Sequence, residues 1–176
     1  MATSVGRRFK HSTRELKVAE CILDVVAYDK TKRLFTLVEC KLGTKPSSIG
    51  HAFGQIAAYS AILCEHGKAF LKAFTRRVPL NYERQMEATD GSRKFRVAFY
   101  VALTDNACKR IALIRSVKKL LPGVGIIRVK PDGKCRTYLR VKGQKEPTLA
   151  RAAVMVIEII PSADVNKLAE ISETIK

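Results

Sequence analysis

Several patterns that would define a class of protein are missing from this sequence. Its 176 residues contain no tryptophan and only three histidines, and its five cysteines are an odd number without a CxxC pair. Structural zinc sites and disulfide frameworks need clustered or evenly paired cysteines, so neither is predicted. We interpret the cysteines as free thiols in or near the core of an intracellular protein, which is where isolated cysteines usually occur.

Long hydrophobic runs are also missing. No segment reaches the roughly 18 consecutive apolar residues of a membrane span, and the most apolar stretch, 152–160, is short and contains Glu158. Residues 1–10 contain arginines but no apolar segment behind them, which argues against a secretory signal. The sequence therefore predicts a soluble protein with no membrane partner, located inside the cell, either in the cytoplasm or with the nucleoid.

Acidic residues are scarce. Thirty-three lysines and arginines oppose sixteen aspartates and glutamates, which leaves a formal net charge of +17. So much like charge repels itself and favours a polyanionic partner, of which nucleic acid is the first candidate. The basic residues are spread along the chain, so we expect a basic surface on a folded domain. Charge alone also fits a basic structural protein of a ribonucleoprotein.

The chain length fits one domain, which we assign to residues 15–176 behind a basic arm at residues 1–14. Hydrophobic periodicity predicts strands at 22–28, 34–41, 97–103 and 123–130, a hairpin partner at 135–141, and helices at 49–65, 107–121 and 162–175. Residues 75–94 read as a flap, and 149–160 fits either a strand or a buried helix. This order predicts an α/β sandwich, a central mixed β-sheet flanked by helices.

Two carboxylates and a lysine stand in the first two predicted strands. Asp24 lies in the first, and Glu39-Cys40-Lys41 ends the second. Side chains alternate along a strand, so Glu39 and Lys41 share a face, and hairpin pairing would bring Asp24 beside Glu39. Two neighbouring carboxylates suit a hard cation such as Mg²⁺ or Mn²⁺. The alternative is structural, with Asp24 buried as the ion-pair partner of Lys41.

The helix that follows contains Gln55 and Tyr59, which are four residues apart and so lie on one helical face. Asp24, Glu39-x-Lys41 and this QxxxY pair stand in the order found in the PD-(D/E)XK nuclease superfamily, and the set resembles its RecB-like branch. The resemblance covers about residues 16–64 and implies a restriction-endonuclease-like fold. The strand, helix and strand predicted after residue 97 follow the same pattern.

The resemblance implies a role for each matched residue. Asp24 and Glu39 would be metal ligands, with the backbone carbonyl of Cys40 as a third. Lys41 would orient or deprotonate the attacking water, or neutralise charge on the phosphate. Gln55 would reach the site or a DNA phosphate, and Tyr59 would pack beneath it as structural support.

The sequence departs from the family at its start. These nucleases usually supply another acid from a helix ahead of the first strand, and this chain has little room for that helix. Glu15 and Glu20 are the only acids upstream of Asp24. Glu20 has the parity of Asp24 and could be a further metal ligand if the strand begins early.

Other catalytic patterns are not supported. Gly123-x-Gly125 does not open a helix after a strand, as a dinucleotide-binding loop would. Ser47 and Ser48 are better explained as helix caps than as nucleophiles. The scattered cysteines do not match the clustered ligands of the iron–sulfur nucleases in this superfamily.

The sequence therefore predicts a Mg²⁺-dependent deoxyribonuclease, an endonuclease in preference to an exonuclease, that acts on DNA, with RNA as the other possible substrate and a homodimer as a possible assembly. The alternative is a nuclease-fold protein that binds nucleic acid with weak or no cleavage. The residues expected to contact the nucleic acid are Lys45, Arg76, Arg77, Lys118 and Lys119.

Overall fold

The computed structural model describes residues 11–19, 21–78, 93–136, 139–141, 144–146 and 150–159. It contains nine strands and two α-helices within these ranges. In chain order they are β1 (His11–Val18), β2 (Cys21–Asp29), β3 (Leu34–Lys41), α1 (Pro46–Arg77), β4 (Arg93–Thr104), a 3₁₀ turn (Ala107–Lys109), α2 (Ile111–Leu120), β5 (Gly125–Val129), β6 (Cys135–Arg136), β7 (Leu139–Val141), β8 (Gln144–Glu146) and β9 (Val154–Ile159).

Seven of the strands form one mixed sheet. Strands β1 to β6 lie side by side in chain order, with β3, β4 and β5 parallel and the other neighbours antiparallel. The strand β9 pairs with the first half of β4, and β5 pairs with its second half. A parallel pair needs a crossover connection, which α1 and α2 provide. The predicted α/β class with a central mixed sheet is confirmed.

The strand β1 is the main element that the sequence did not predict. It begins at His11, opposite Tyr28, so residues 11–14 belong to the sheet and the predicted boundary of the basic arm at residue 14 is wrong. This strand directly precedes β2, at the position where the family resemblance implies a helix that carries another acid. Residues 11–15 are polar, so no apolar run marks them in the sequence. Pairing with β2 makes them a strand.

The helix α1 covers one face of the sheet. Its buried residues recur at spacings of three and four, which makes one apolar stripe, and burying each large side chain contributes about 1.5–3 kcal/mol. The buried residues are Ile49, Ala52, Phe53, Ile56, Tyr59, Leu63, Gly67, Phe70 and Phe74.

The course of α1 agrees only in part with the prediction. The helix predicted to end at residue 65 has a kink at His66 and then continues to Arg77. Phe70 and Phe74 explain this continuation, because both rings contact Phe35 of β3 with centroids 5.1 and 5.4 Å apart. The helix begins at Pro46 with no side-chain cap. The prediction that the serines after Pro46 cap the helix is therefore wrong.

The helix α2 packs against the same core through Ile114. Its Lys118 side chain is buried, and the ammonium group donates hydrogen bonds to the carbonyl oxygens of Pro122 (2.7 Å), Val124 and Arg151 (3.3 Å). Burial lowers the pKa of this lysine. Lys118 thereby joins the end of α2 to the segments before β5 and β9. The prediction that Lys118 contacts nucleic acid is wrong, because its ammonium group is enclosed by protein.

The other expectations have mixed outcomes. The strands expected at 22–28, 34–41, 97–103 and 123–130 correspond to β2 to β5, and the ambiguous segment 149–160 contains β9. Most of the expected flap, residues 79–92, and the expected closing helix at 162–175 lie outside the described residues.

The described cysteines are all free thiols. Among the described helices, none is long and apolar enough to cross a membrane.

We expect Lys118→Met to lower the free energy of unfolding by about 2–4 kcal/mol. The substitution leaves three buried or partly buried carbonyl groups without their donor, and an unsatisfied buried acceptor costs about 1–3 kcal/mol. Denaturant unfolding measures this change. The matched control is Lys119→Met, since Lys119 is exposed in the same turn and should change stability by no more than about 0.5 kcal/mol. Equal effects of the two substitutions would contradict this role for Lys118.

Candidate metal and phosphate site

The first two carboxylates of the candidate site lie on neighbouring strands. The antiparallel register of β2 and β3 ends with Val25 opposite Val38, which places Asp24 next to the Glu39-Cys40 segment. Glu39 and Lys41 close β3 at the carboxyl end of the parallel strands. The hairpin expected from the sequence is therefore confirmed, with Asp24 beside the Glu39-Cys40-Lys41 segment.

The backbone of β2 changes its alternation at Asp24. Leu23 and Val26 are three residues apart, yet both belong to the core beneath α1, while Val25 packs on the other face of the sheet. The ordinary alternation of a strand would place Leu23 and Val26 on opposite faces. Between them, Asp24 Oδ2 accepts a hydrogen bond of 2.8 Å from the backbone N–H of Cys40. One oxygen of Asp24 is therefore held by β3, and Oδ1 has no hydrogen bond within the described part of the chain.

Glu39 is the most deeply buried charged residue of the described chain. Only 1% of it is exposed, and it follows Phe35 and Leu37 on the face of the sheet that α1 covers. A buried carboxylate is unfavourable unless a cation and hydrogen-bond donors compensate for its lost hydration. The partners of Glu39 therefore decide whether it can remain ionised.

Lys41 provides the compensating charge. Its ammonium group lies 2.8 Å from Glu39 Oε1, and 27% of its side chain is exposed. Lys41 lies on the same face as Glu39, as the alternation along β3 requires. It therefore contacts the buried carboxylate and solvent together. The contact with Oε1 is ionic, because this oxygen has no partner with hydrogen-bond geometry in the described structure.

Tyr59 contacts the other oxygen of Glu39. The hydroxyl oxygen of Tyr59 is 2.8 Å from Glu39 Oε2 and 2.8 Å from the carbonyl oxygen of Ile22. The hydroxyl has one proton, so it donates to one of these acceptors at a time. Burial and the hydrogen bond to Glu39 raise the pKa of Tyr59, which keeps the hydroxyl protonated as a donor. Tyr59 was expected only to support the helix, and its contact with Glu39 was missed. A buried tyrosine hydroxyl generally needs a partner, which was the available signal.

Gln55 lies one helical turn before Tyr59 on the same side of α1. Tyr59 contacts Glu39, and Phe74 contacts Phe35, so α1 runs antiparallel to β3. Gln55 therefore lies toward the end of β3 that carries Lys41. Its Oε1 atom is buried and has no hydrogen-bond partner among the described residues. An unsatisfied buried amide oxygen next to a carboxylate site is a position for a donor such as water.

A second ion pair lies at the same edge of the sheet and was not found from the sequence. The register aligns Lys41 with Leu103 and Leu103 with Arg128, so these residues form a row across β3, β4 and β5. Arg128 donates a hydrogen bond from Nε to Asp105 Oδ1. This bond lowers the pKa of the Asp105 carboxyl group. The charged groups at this edge come from β2, β3, β5 and the turn after β4. Their spacing in the sequence does not indicate that they lie together.

Not all of the residues expected to contact nucleic acid lie at this edge of the sheet. Lys45 is exposed and precedes the first turn of α1, close to the end of β3. Arg76 and Arg77 lie at the other end of the 32-residue helix, which is about 48 Å long by the rise of an α-helix. Arg77 also donates from Nη1 to the carbonyl oxygens of Arg14 and Glu15 at 2.8 and 3.1 Å. Of the five residues, Lys45 is the one that follows the end of β3 that carries Glu39.

The additional acid is not found among the described residues. Glu20 lies outside the described ranges. The register places Glu15 opposite Asp24, but its side chain is exposed and its φ angle is 49°. No group of three or more histidine, cysteine, aspartate or glutamate side chains is close enough to hold a metal ion in the described ranges.

The oxygen atoms of this site are of the kinds that a hard divalent cation binds. Asp24 presents Oδ1, Glu39 presents a buried carboxylate, and the Cys40 carbonyl lies between Glu39 and Lys41 in the chain. Carboxylate and carbonyl oxygens are the ligands that Mg²⁺ and Mn²⁺ prefer, with water completing the coordination. Comparisons of the chain with protein-family models, with curated proteins and with solved structures gave no match.

We expect Tyr59→Phe to lower the free energy of unfolding by about 1–3 kcal/mol, because it removes a hydrogen bond to a buried charged group while keeping the ring. Thermal or denaturant unfolding measures the loss. Tyr100→Phe is the control, since Tyr100 is half-buried and no hydrogen bond of its hydroxyl is found in the described structure. A Tyr59→Phe protein as stable as the control would show that the hydroxyl does not stabilise Glu39.

Proposed function

We propose that this chain is a metal-dependent DNA nuclease domain with a restriction-endonuclease-like fold of the RecB-like type. The observation that carries the proposal is the convergence of Asp24, Glu39, Lys41 and Tyr59 at the carboxyl end of β3. These residues are separated by up to 35 positions in the sequence. Sheet register and the antiparallel course of α1 support the grouping independently of any motif.

Asp24, Glu39 and the carbonyl of Cys40 would hold the cation, which is Mg²⁺ or Mn²⁺ in this proposal. When bound, such an ion lowers the pKa of a coordinated water and stabilises negative charge on a phosphate. Tyr59 and the backbone N–H of Cys40 each hold one carboxylate oxygen, which fixes the orientation of both acids. Ligands oriented in this way lose little freedom when the ion binds.

Lys41 would act on the phosphate. Its ammonium group contacts the buried Glu39 Oε1 atom, and 27% of the Lys41 side chain is exposed. A phosphate could therefore approach Lys41 from solvent. A cation at this position stabilises charge that develops on the phosphoryl oxygens, or orients the attacking water. Gln55 would add a neutral acceptor on the same side, because its Oε1 atom lacks a partner in the described structure. Lys45 would contact a neighbouring phosphate of the DNA.

A specific observation also favours a second candidate, a nuclease-fold protein that binds nucleic acid without efficient cleavage. Both oxygens of Glu39 already have protein partners, Tyr59 and Lys41. A cation must then compete with Lys41 for Oε1. If Lys41 remains on Glu39, the pair is a structural salt bridge, similar to the one that the sequence suggested between Lys41 and Asp24.

Cleavage should depend on each of the three charged residues. We expect Asp24→Asn, Glu39→Gln and Lys41→Met each to reduce Mg²⁺-dependent cleavage of labelled DNA by about 100-fold or more, since each removes a ligand or the charge next to it. DNA binding of the two carboxylate variants in metal-free buffer should remain within about threefold of the unsubstituted protein. Removing a carboxylate that repels phosphate should not weaken binding.

The matched controls are Glu65→Gln and Lys72→Met. Both residues are exposed on α1 outside the site, and neither substitution should change the cleavage rate. Full cleavage by the Glu39→Gln protein, purified free of contaminating nuclease, would contradict the nuclease proposal. Metal-independent DNA binding with no cleavage by the unsubstituted protein would instead favour the second candidate.

Gln55 separates the RecB-like assignment from a generic two-carboxylate site. We expect Gln55→Ala to reduce the turnover number by about 10–100-fold with a small change in melting temperature, because the amide is partly buried and Oε1 makes no hydrogen bond that stabilises the fold. His51→Ala is the control, since His51 is exposed one turn earlier on α1. Unchanged turnover in the Gln55 variant would refute the RecB-like assignment and leave a simpler nuclease fold possible.

A further inference from the structure

A dense basic cluster lies at the end of the sheet opposite the candidate site. Lys30, Lys32 and Arg33 form the turn between β2 and β3, and all three are exposed. Arg96 joins them from β4, because the register pairs it with Leu34, the first residue of β3. We call these four residues the remote basic cluster. The eight residues of β3 separate it from Lys41 by about 23 Å.

The cluster is held together against its own charge. Arg96 donates from Nη1 to the carbonyl oxygen of Lys32 at 3.2 Å, which fixes the turn against β4. Asp29 is the one carboxylate of this turn, and its Oδ1 accepts from the backbone N–H groups of Thr31 and Lys32. Its other oxygen lies 3.9 Å from the Lys32 ammonium group. The turn and its neighbour on β4 therefore carry four cations and one carboxylate, and one oxygen of that carboxylate already accepts two backbone hydrogen bonds.

The conformation of Arg33 adds an independent observation. Its φ angle is 49°, in the left-handed region where glycine and asparagine are the favoured residues. An arginine at this position costs backbone strain that either of those residues would reduce. Its side chain is exposed and forms no ion pair with a described carboxylate. The chain thus keeps a cation where turn stability favours a neutral residue.

We propose that the remote basic cluster is a second nucleic-acid-binding surface, which contacts the phosphate backbone away from the cleavage site. Closely spaced cations on a surface bind a polyanion by releasing its condensed counterions, independently of base sequence. The choice of nucleic acid among polyanions rests on the proposed nuclease function. A substrate held at both ends of the sheet would dissociate more slowly from the protein.

The first experiment measures binding of a 30-base-pair duplex in metal-free buffer, by fluorescence anisotropy at several salt concentrations. The test variant is Lys30→Gln/Lys32→Gln/Arg33→Asn. The control removes the same charge elsewhere, as Lys17→Gln/Lys72→Gln/Arg151→Gln, from three exposed residues on other elements. We expect the test variant to bind about tenfold or more weakly, and the slope of log Kd against log salt to fall by about 0.9 for each phosphate that is no longer neutralised.

The same measurements include the results that would overturn the proposal. Equal losses in the test and control variants would show that only net charge matters, and an unchanged affinity in the test variant would show that the cluster does not touch DNA. Loss of binding to vesicles containing phosphatidylserine, with DNA affinity retained, would assign the cluster to an anionic membrane surface. Binding is measured without metal and is therefore independent of cleavage. Absence of cleavage in a separate assay with Mg²⁺ would refute the proposed nuclease activity and leave this binding result intact.

Arg33→Asn alone provides the sharpest separation of binding from folding. We expect its melting temperature to equal or exceed that of the unsubstituted protein, because asparagine tolerates the positive φ angle. DNA affinity should fall, while the turnover number at saturating DNA stays unchanged. A lower melting temperature with unchanged affinity would mean that Arg33 serves the fold and would contradict the proposal.

Discussion

The buried carboxylate of Glu39 is the constraint on which the candidate site depends. A charge enclosed between the sheet and α1 is tolerated only with close partners, and Glu39 has Lys41 at 2.8 Å and the Tyr59 hydroxyl at 2.8 Å. The same hydroxyl lies within hydrogen-bond distance of the Ile22 carbonyl, so β2, β3 and α1 meet at one atom. This arrangement ties the packing of the helix to the geometry of the site.

The sequence predicted the parts of this site that lie within one element or one hairpin. Alternation placed Glu39 and Lys41 together, and a short polar turn between two apolar runs predicted that Asp24 would join them. The contacts of Tyr59 and the position of Arg128 depend on how α1 and β5 pack on the sheet. No local pattern specifies either, so both were missed. The strand β1 was missed because its first half has no apolar run and is defined by its pairing with β2.

Charge counts did not show where each cation would lie. Lys118 and Lys119 are neighbours in sequence, yet one ammonium group is enclosed by three carbonyl groups and the other residue is exposed. Arg76 and Arg77, two of the residues expected to contact nucleic acid, lie at the end of α1 away from the carboxylates. Among the exposed basic residues, Lys45 follows the end of β3 that carries Glu39, and the remote basic cluster lies at the amino end of β3. A polyanion that contacts both ends would cross the length of the parallel strands.

Binding of a divalent ion is the most direct test of the central claim that Glu39 is a metal ligand. Titration of the protein with Mn²⁺, with the free ion followed by electron paramagnetic resonance, measures binding without DNA or cleavage. The account predicts that the unsubstituted protein and a Glu65→Gln control bind the ion equally, and that Glu39→Gln abolishes this binding. Equal Mn²⁺ binding by the Glu39→Gln protein, or no binding by the unsubstituted protein, would contradict it.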